Sequence, residues 1–354
     1  MSQMINLQRF ATIDELFSQK DVLDYVRNRT FPQLLGDTLF TPRRVETLDL
    51  DQVYAGNRTP VIANVAAFNS EAQIGSREAG KLSLSLALIK RKMQINEKDL
   101  YALRNPRSAA EADYLQNRVY ADIDNLVQSV LARVEKLSMD ALATGKINVV
   151  DDDSQQSAVF DYQVPTAHQA DLTGKAGTTW DSDSADPIKD ITDWADSMDV
   201  TPTRVLTSRK IYRYITRNAK VLQDVYGTST RALGQADFDA FMEAQGLPVI
   251  RTYDAKYRVQ NADGTYSAQR YFPEDAFVMM PDDNPGEKLF GPTPEEIGLA
   301  DDPSVNKQAI GNVFATVYTE TKDPVDTWEK ASAVALPSFP GANEVFQAKP
   351  IKLA

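Results

Sequence analysis

The chain has 354 residues, with 38 Lys and Arg against 50 Asp and Glu, one histidine and no cysteine. Its length and its 42% apolar, 25% charged composition are those of a globular chain with a substantial core, folded as one complex domain or two linked ones. A net charge of −12 argues against duplex DNA as the main ligand, and the lack of cysteine excludes disulfides, zinc–thiolate centres and thiol nucleophiles. No basic segment followed by an apolar run opens the chain, so no signal peptide is expected. No stretch approaches ~18 consecutive apolar residues, so no membrane span is expected either.

The first predicted helix starts near Thr12, where Thr12 and Glu15 have capping-box spacing. Leu16, Phe17, Val22, Leu23 and Val26 follow at helical intervals, and Phe31-Pro32 and Gly36 end the segment. An extended segment over 38–54 leads into a predicted ribbon over 55–100. Its two strands, 59–67 and 81–95, are joined by a small polar and charged tip over 69–80. The second strand alternates, with Leu82, Leu84, Leu86 and Leu88 separated by Ser83, Ser85 and Ala87. Ten or more residues at ~3.3 Å each give an arm of roughly 35–40 Å. A two-stranded ribbon is marginal alone in water, so an apolar row on it calls for a second surface, most simply another copy of the chain.

The best-defined helix follows. Ser108 and Glu111 form a second capping-box pattern, and Leu115, Val119, Ile123, Leu126, Val130, Val134, Leu137 and Ala141 recur every three or four residues. Gly145 stands where a left-handed cap residue belongs. Residues 109–144 would span roughly 54 Å. A coiled coil is the plain alternative, but the ladder stops after a few heptads. An acidic turn is expected at 151–156, short strands over 158–172, and a polar loop over 174–186 containing Trp180. Pro187 opens a helix over 188–198. A buried strand at 204–207, a helix over 208–226 ending at Gly227, and a helix over 237–245 come next. A hairpin over 248–280 turns at Asp263-Gly264. A proline-rich surface loop spans 282–303, and three strands at 313–320, 327–335 and 344–353 close the chain.

Few residues suggest chemistry. Residues 75–81 nearly match a phosphate-binding loop, but Leu82 replaces its hydroxyl and a strand follows where a helix is required. His168, the lone histidine, has Asp161 and Asp171 nearby but no nucleophile elbow, so it reads as an ordinary strand residue. The aspartates at 151–153 and 181–186 lack calcium-loop spacing and read as solvated acidic loops. Trp180 and Trp194 flank a helix and read as the edge of a core rather than a cleft. Lys90-Arg91-Lys92 is too short for nucleic-acid recognition and suits carboxylates of a neighbour.

The order of these elements resembles the tailed-phage major capsid proteins, closest to the lambda-type major head protein family. The segments that carry it are 41–56 leading into the ribbon, the tip 75–81, the exit 89–96, then 187–194, 203–214 and 318–354. The likeness covers the chain from about Val22 onward. It implies an α+β capsid fold with an N-terminal arm and helix (1–40), an extended β-hairpin loop (41–100), a long spine helix with part of a peripheral β layer (101–185), an axial α/β domain (186–320) and the rest of the peripheral layer (321–354). It implies a non-enzymatic subunit that forms pentamers and hexamers of an icosahedral shell around double-stranded DNA, contacting that DNA weakly. A separate scaffolding protein, a portal at one vertex, room for a decoration protein, no membrane, and assembly in the host bacterial cytoplasm into a virion go with it. No cofactor, metal or catalytic residue is implied. Arg77, Lys81, Leu82, Leu84, Leu86, Lys90 and Arg91 are the expected subunit contacts. Two other readings stay open: a carboxylate-dependent hydrolase centred on 181–186, and an encapsulin-like nanocompartment shell.

Overall fold

A computed structural model describes residues 17–55, 79–95, 97–150, 157–174, 177–261, 263–299, 312–320 and 326–353. The capping pair at Thr12 and Glu15, the ribbon tip and the acidic turn at 151–156 lie outside them. Helix α1 (Gln19–Asn28) opens on Ser18, whose hydroxyl accepts the Asp21 N–H at 3.2 Å, and it buries Val22, Leu23 and Val26. A single turn, α2 (Gly36–Leu39), leads into strand β1 (Phe40–Arg44).

Strands β2 (Asp49–Ala55) and β3 (Ala79–Ser85) pair antiparallel with each other and, among the described residues, with no other strand. Strand β4 (Ala87–Ile95) follows a break at Leu86, whose N–H donates to the Leu48 carbonyl at 2.9 Å. This corrects the single strand expected over 81–95. Its first half belongs to the ribbon, while its second half is built into the main sheet of the body.

After α3 (Glu97–Arg104) comes the spine helix α4 (Ala109–Thr144), 36 residues long and bounded as the sequence predicts. The Ser108 hydroxyl accepts the Glu111 N–H at 3.2 Å. The Glu111 carboxylate accepts the Arg107 N–H at 2.7 Å, so the reciprocal half of the box closes one residue early. Gly145 ends the helix at φ +66°, and a Cβ there would lie 2.6 Å from Val164 Cγ2, so both backbone and packing require glycine. All eight residues of the apolar ladder are buried.

Strands β5 (Lys146–Val150) and β6 (Ser157–Asp161) form a ribbon. Then come β7 (Gln169–Asp171), α5 (Pro187–Asp196, capped by Asp186), β8 (Arg204–Thr207), α6 (Arg209–Arg217) and α7 (Ala219–Tyr226). The single helix expected over 208–226 is broken at Asn218, which is extended (φ −65°, ψ 132°). Its side chain accepts the N–H groups of Lys220 at 2.9 Å and Val221 at 3.3 Å and so restarts the helix. Helix α8 (Gln235–Ala244) precedes β9 (Val249–Thr252), and β10 (Lys256–Gln260) pairs with β11 (Tyr266–Arg270) around the expected turn. The last elements are β12 (Phe277–Met280), β13 (Gly286–Gly291), α9 (Pro294–Gly298), β14 (Phe314–Glu320), β15 (Asp326–Ser338) and β16 (Phe346–Lys349).

Strand β13 corrects the loop expected over 282–303. Pro285-Gly286 reads as a turn, but Gly286 is there because a Cβ would come 2.2 Å from the Ser338 carbonyl and 2.5 Å from the Phe40 ring. One sheet runs β1-β13-β15-β14, with β4 on the other edge of β15. A second runs β7-β16-β12-β8-β9. Sheet membership therefore crosses the expected segment boundaries. β7 and β16 join the sheet of the 186–320 region, and β13 and β14 join the sheet that carries β4 and β15, because pairing follows register rather than chain position.

Ala331, Ala333 and Ala335 lie in one core with Val119, Ile123, Leu126, Val127 and Val130 of the spine helix. A row of alanines lets a long helix lie close against a strand. The C-terminal half of the spine helix enters a second core with Tyr162, Phe272 and Phe339, and helices α5–α8 cover a third on the second sheet. The helix is thus a packed element of one chain and not half of a coiled coil.

Candidate assembly surface and the buried charges behind it

The expected contact residues fall into three places. Arg77 lies outside the described residues. Lys81, Leu82 and Leu84 lie on β3, in register with Val53, Gln52 and Leu50 of β2. Leu86, Lys90 and Arg91 lie at the root, where the ribbon meets the body. Leu86 is half-buried against the body's core, and a Cβ on Gly291 would touch its Cδ1 at 2.7 Å. Leu88 stays 46% exposed on β4. The expected unbroken leucine face therefore ends at the break, with Leu86 turned inward onto its own chain.

Lys90 is exposed opposite Ser332, and Arg91 is exposed with Nη2 3.4 Å from Gln260 Oε1 of the β10–β11 hairpin. Lys92 lies 4.0 Å over the Trp328 ring. Among the described residues neither Lys90 nor Arg91 has a carboxylate partner. The hairpin adds exposed Lys256 and Arg258, the latter over Tyr266. A chain of net charge −12 thus carries, at the loop root and on the hairpin beside it, cations with no carboxylate partner among the described residues. The hairpin's share went unread in the sequence because Lys256 and Arg258 are separated from the 90–92 run by the whole spine helix.

Behind this surface α2, α4, β13 and the 253–255 turn converge on one buried ion pair. Lys288 Nζ lies 2.9 Å from Glu135 Oε2 and 2.6 Å from Asp37 Oδ1. Glu135 Oε1 also accepts the Gly36 N–H at 2.8 Å and the Tyr253 hydroxyl at 3.0 Å. Glu135 is fully buried and Lys288 only 3% exposed. Burial and the adjacent carboxylate hold the Tyr253 hydroxyl far above the ordinary phenol range, so it stays a donor. Glu135 could have been flagged from sequence, since it stands on the stripe Leu131, Ser138, Leu142. Lys288 could not, because its strand was hidden in a proline-rich segment.

The rival hydrolase segment fronts packed aromatic rings. Trp180 is 1% exposed, stacked on Trp194 at 5.5 Å, and Trp194 stacks on Phe346 at 5.4 Å. Trp180 Nε1 donates to Asp190 Oδ2 at 2.8 Å, and Asp186 is occupied in capping α5. The segment 181–186 therefore fronts an aromatic core. Among the described residues no three His, Asp or Glu side chains are placed to hold a metal ion. His168 is buried beside Phe346, at the end of the 3-10 turn Thr166–His168 and not within a strand.

The fold matches that of a solved phage capsid protein. A protein assigned as a prophage capsid protein, from E. coli CFT073, superposes with a TM-score of 0.62 at 16% identity, covering 95% of this chain and 99% of that one. The family model for phage major capsid protein E matches residues 18–349. The chain belongs to that family. It is a bacteriophage capsid shell protein with the mixed helix-and-sheet capsid fold, and the family's role is structural. Weaker overlaps include the capsid of Myoviridae phage XM1 (TM-score 0.44, 10% identity, 91% of this chain and 95% of that one) and the SrpI encapsulin of Synechococcus elongatus PCC 7942 (0.41, 10%, 92% and 92%). A search of curated protein sequences gives no match.

Proposed function

We propose that this capsid protein assembles as pentamers and hexamers into a closed icosahedral head, with residues 41–100 laid across the adjoining subunit. The observation that carries this is the β2–β3 ribbon, whose strands pair with no other strand among the described residues. Two strands alone do not hold in water, and a neighbouring copy supplies the missing surface. Arg77, Lys81, Leu82, Leu84, Leu86, Lys90 and Arg91 make the contact, with Leu86 acting through the root it anchors. Lys90 and Arg91, which have no carboxylate partner among the described residues, meet carboxylates of the next subunit, in keeping with the excess of acids in the chain.

The spine helix with the β15 sheet forms the peripheral layer, and the sheet carrying β8, β9 and β12 with α5–α8 forms the axial domain facing the symmetry axes. A separate scaffolding protein sets the curvature, a portal fills one vertex, and a decoration protein has room on the outer face. Packaged DNA is contacted weakly, as the acidic surface favours. Assembly takes place in the bacterial cytoplasm.

Negative-stain electron microscopy of the purified chain, alone and co-expressed with the neighbouring phage genes, tests this. Uniform icosahedral particles, or discrete pentamers and hexamers, are expected. A monomer or dimer under every condition overturns it. Deletion of 69–80 should leave a folded subunit that forms no shells.

A further inference from the structure

A second buried carboxylate sits under the spine helix and is used by nothing above. Glu329, on the inner face of β15, is 1% exposed, and its buried Oε1 has no hydrogen-bond partner among the described residues. Its neighbours in the sheet are Val317 on β14 and Met93 on β4, and the next residues on its own face are Thr327 and Ala331. The charges that bear on it come from the spine helix, Arg118 and Asp122. Arg118 is engaged elsewhere, with Nη1 3.2 Å from Asp99 Oδ2 on α3. Three carboxyl groups, Asp99, Asp122 and Glu329, thus share one guanidinium, and its ion pair is with Asp99 rather than with the buried Glu329.

The geometry points to a proton-binding site at this seam: Glu329 carries a proton in the folded subunit, and its loss draws Arg118 from Asp99 and loosens α3 and the first turns of the spine helix from β15. A buried carboxylate without donors is far costlier than the neutral acid, so the proton stays until the solution is alkaline. Burial first, and then the Asp122 carboxylate, push Glu329 up to about 8, with Arg118 pulling the other way. Burial raises Asp122 as well, and Asp99 adds to it. Helix α3 follows β4 in the chain, so the strand that leaves the extended loop ends beside this seam.

The sign follows from linkage. Below the ordinary carboxylate value of 4.5 both folded and unfolded chains hold the proton. Between 4.5 and about 8 the folded chain holds the proton that the unfolded chain has released, so stability falls as pH rises and levels off above.

The test is thermal unfolding of the full chain from pH ~6 to ~9, with amide exchange of 97–104 corrected for its intrinsic pH dependence. The wild type should lose several degrees across the window, and exchange in α3 should quicken. Glu329→Gln mimics the protonated acid and should remove that alkaline limb. Asp99→Asn frees Arg118 for Glu329 and should move the midpoint to lower pH, which keeps the test informative if the glutamine variant does not fold. Parallel profiles for wild type and Glu329→Gln would overturn the proton site. A midpoint that Asp99→Asn leaves in place would overturn the exchange of Arg118.

Discussion

Glu135 and Glu329 are two acids buried at opposite ends of the same helix–sheet seam, and they are treated in opposite ways. Glu135 receives Lys288, the Gly36 N–H and the Tyr253 hydroxyl. Glu329 Oε1 has no donor among the described residues, and Arg118, the guanidinium that acts on it, is paired with Asp99. Burial alone does not decide whether a carboxyl group is charged. The number of donors that converge on it does. The first acid joins four chain segments at the root of the extended loop, while the second leaves its end of the seam sensitive to pH.

The comparison breaks if equivalent substitutions act alike on the two sites. Lys288→Met strands Glu135 and Asp37 and should destabilise the subunit by about 3–5 kcal/mol, read by denaturant unfolding at neutral pH. A loss below about 1 kcal/mol would show that the centre is not held by that cation. Glu329→Met, of similar volume, removes an acid that has no partner and should stabilise by about 1–3 kcal/mol at pH ~8. The gain should shrink on acidification, and a loss at every pH would contradict the absence of donors. Tyr253→Phe removes one of the donors to Glu135 and should cost about 1–2 kcal/mol, with no change at Glu329 in its pH profile.

The smallest folding effect belongs to the exposed cations. Lys90→Glu with Arg91→Glu should change subunit stability by no more than about 0.5 kcal/mol. The same double change should slow shell formation more at low than at high salt, as should Arg77→Glu, because screening weakens exposed pairs. Light scattering during assembly reads it, and a defect independent of salt would argue against charge pairing.

The spine helix was fully readable because its signals are local: a cap at Ser108, an apolar period of three to four residues, and a left-handed glycine at 145. Asn218 shows the limit of such reading, since a polar residue that ends one helix and caps the next lies inside a continuous helical pattern. β13 shows another, because Pro285-Gly286 marks a turn in sequence, yet here Gly286 serves a close crossing with Phe40 and Ser338. The leucine alternation through 82–88 was real as a pattern, but it could not reveal the break at Leu86 that sends one half to the ribbon and the other to the body.

Local signals were enough for the spine helix and most of the short elements, because periodicity and caps act over one or two turns of chain, and the family entered only as a resemblance in the order of those elements. The tertiary structure alone decided which strands share a sheet, where Lys288 and Glu135 meet across 153 residues, and which acid is left without a donor. Those outcomes depend on long-range register and on which side chains converge in three dimensions, and no local pattern encodes them.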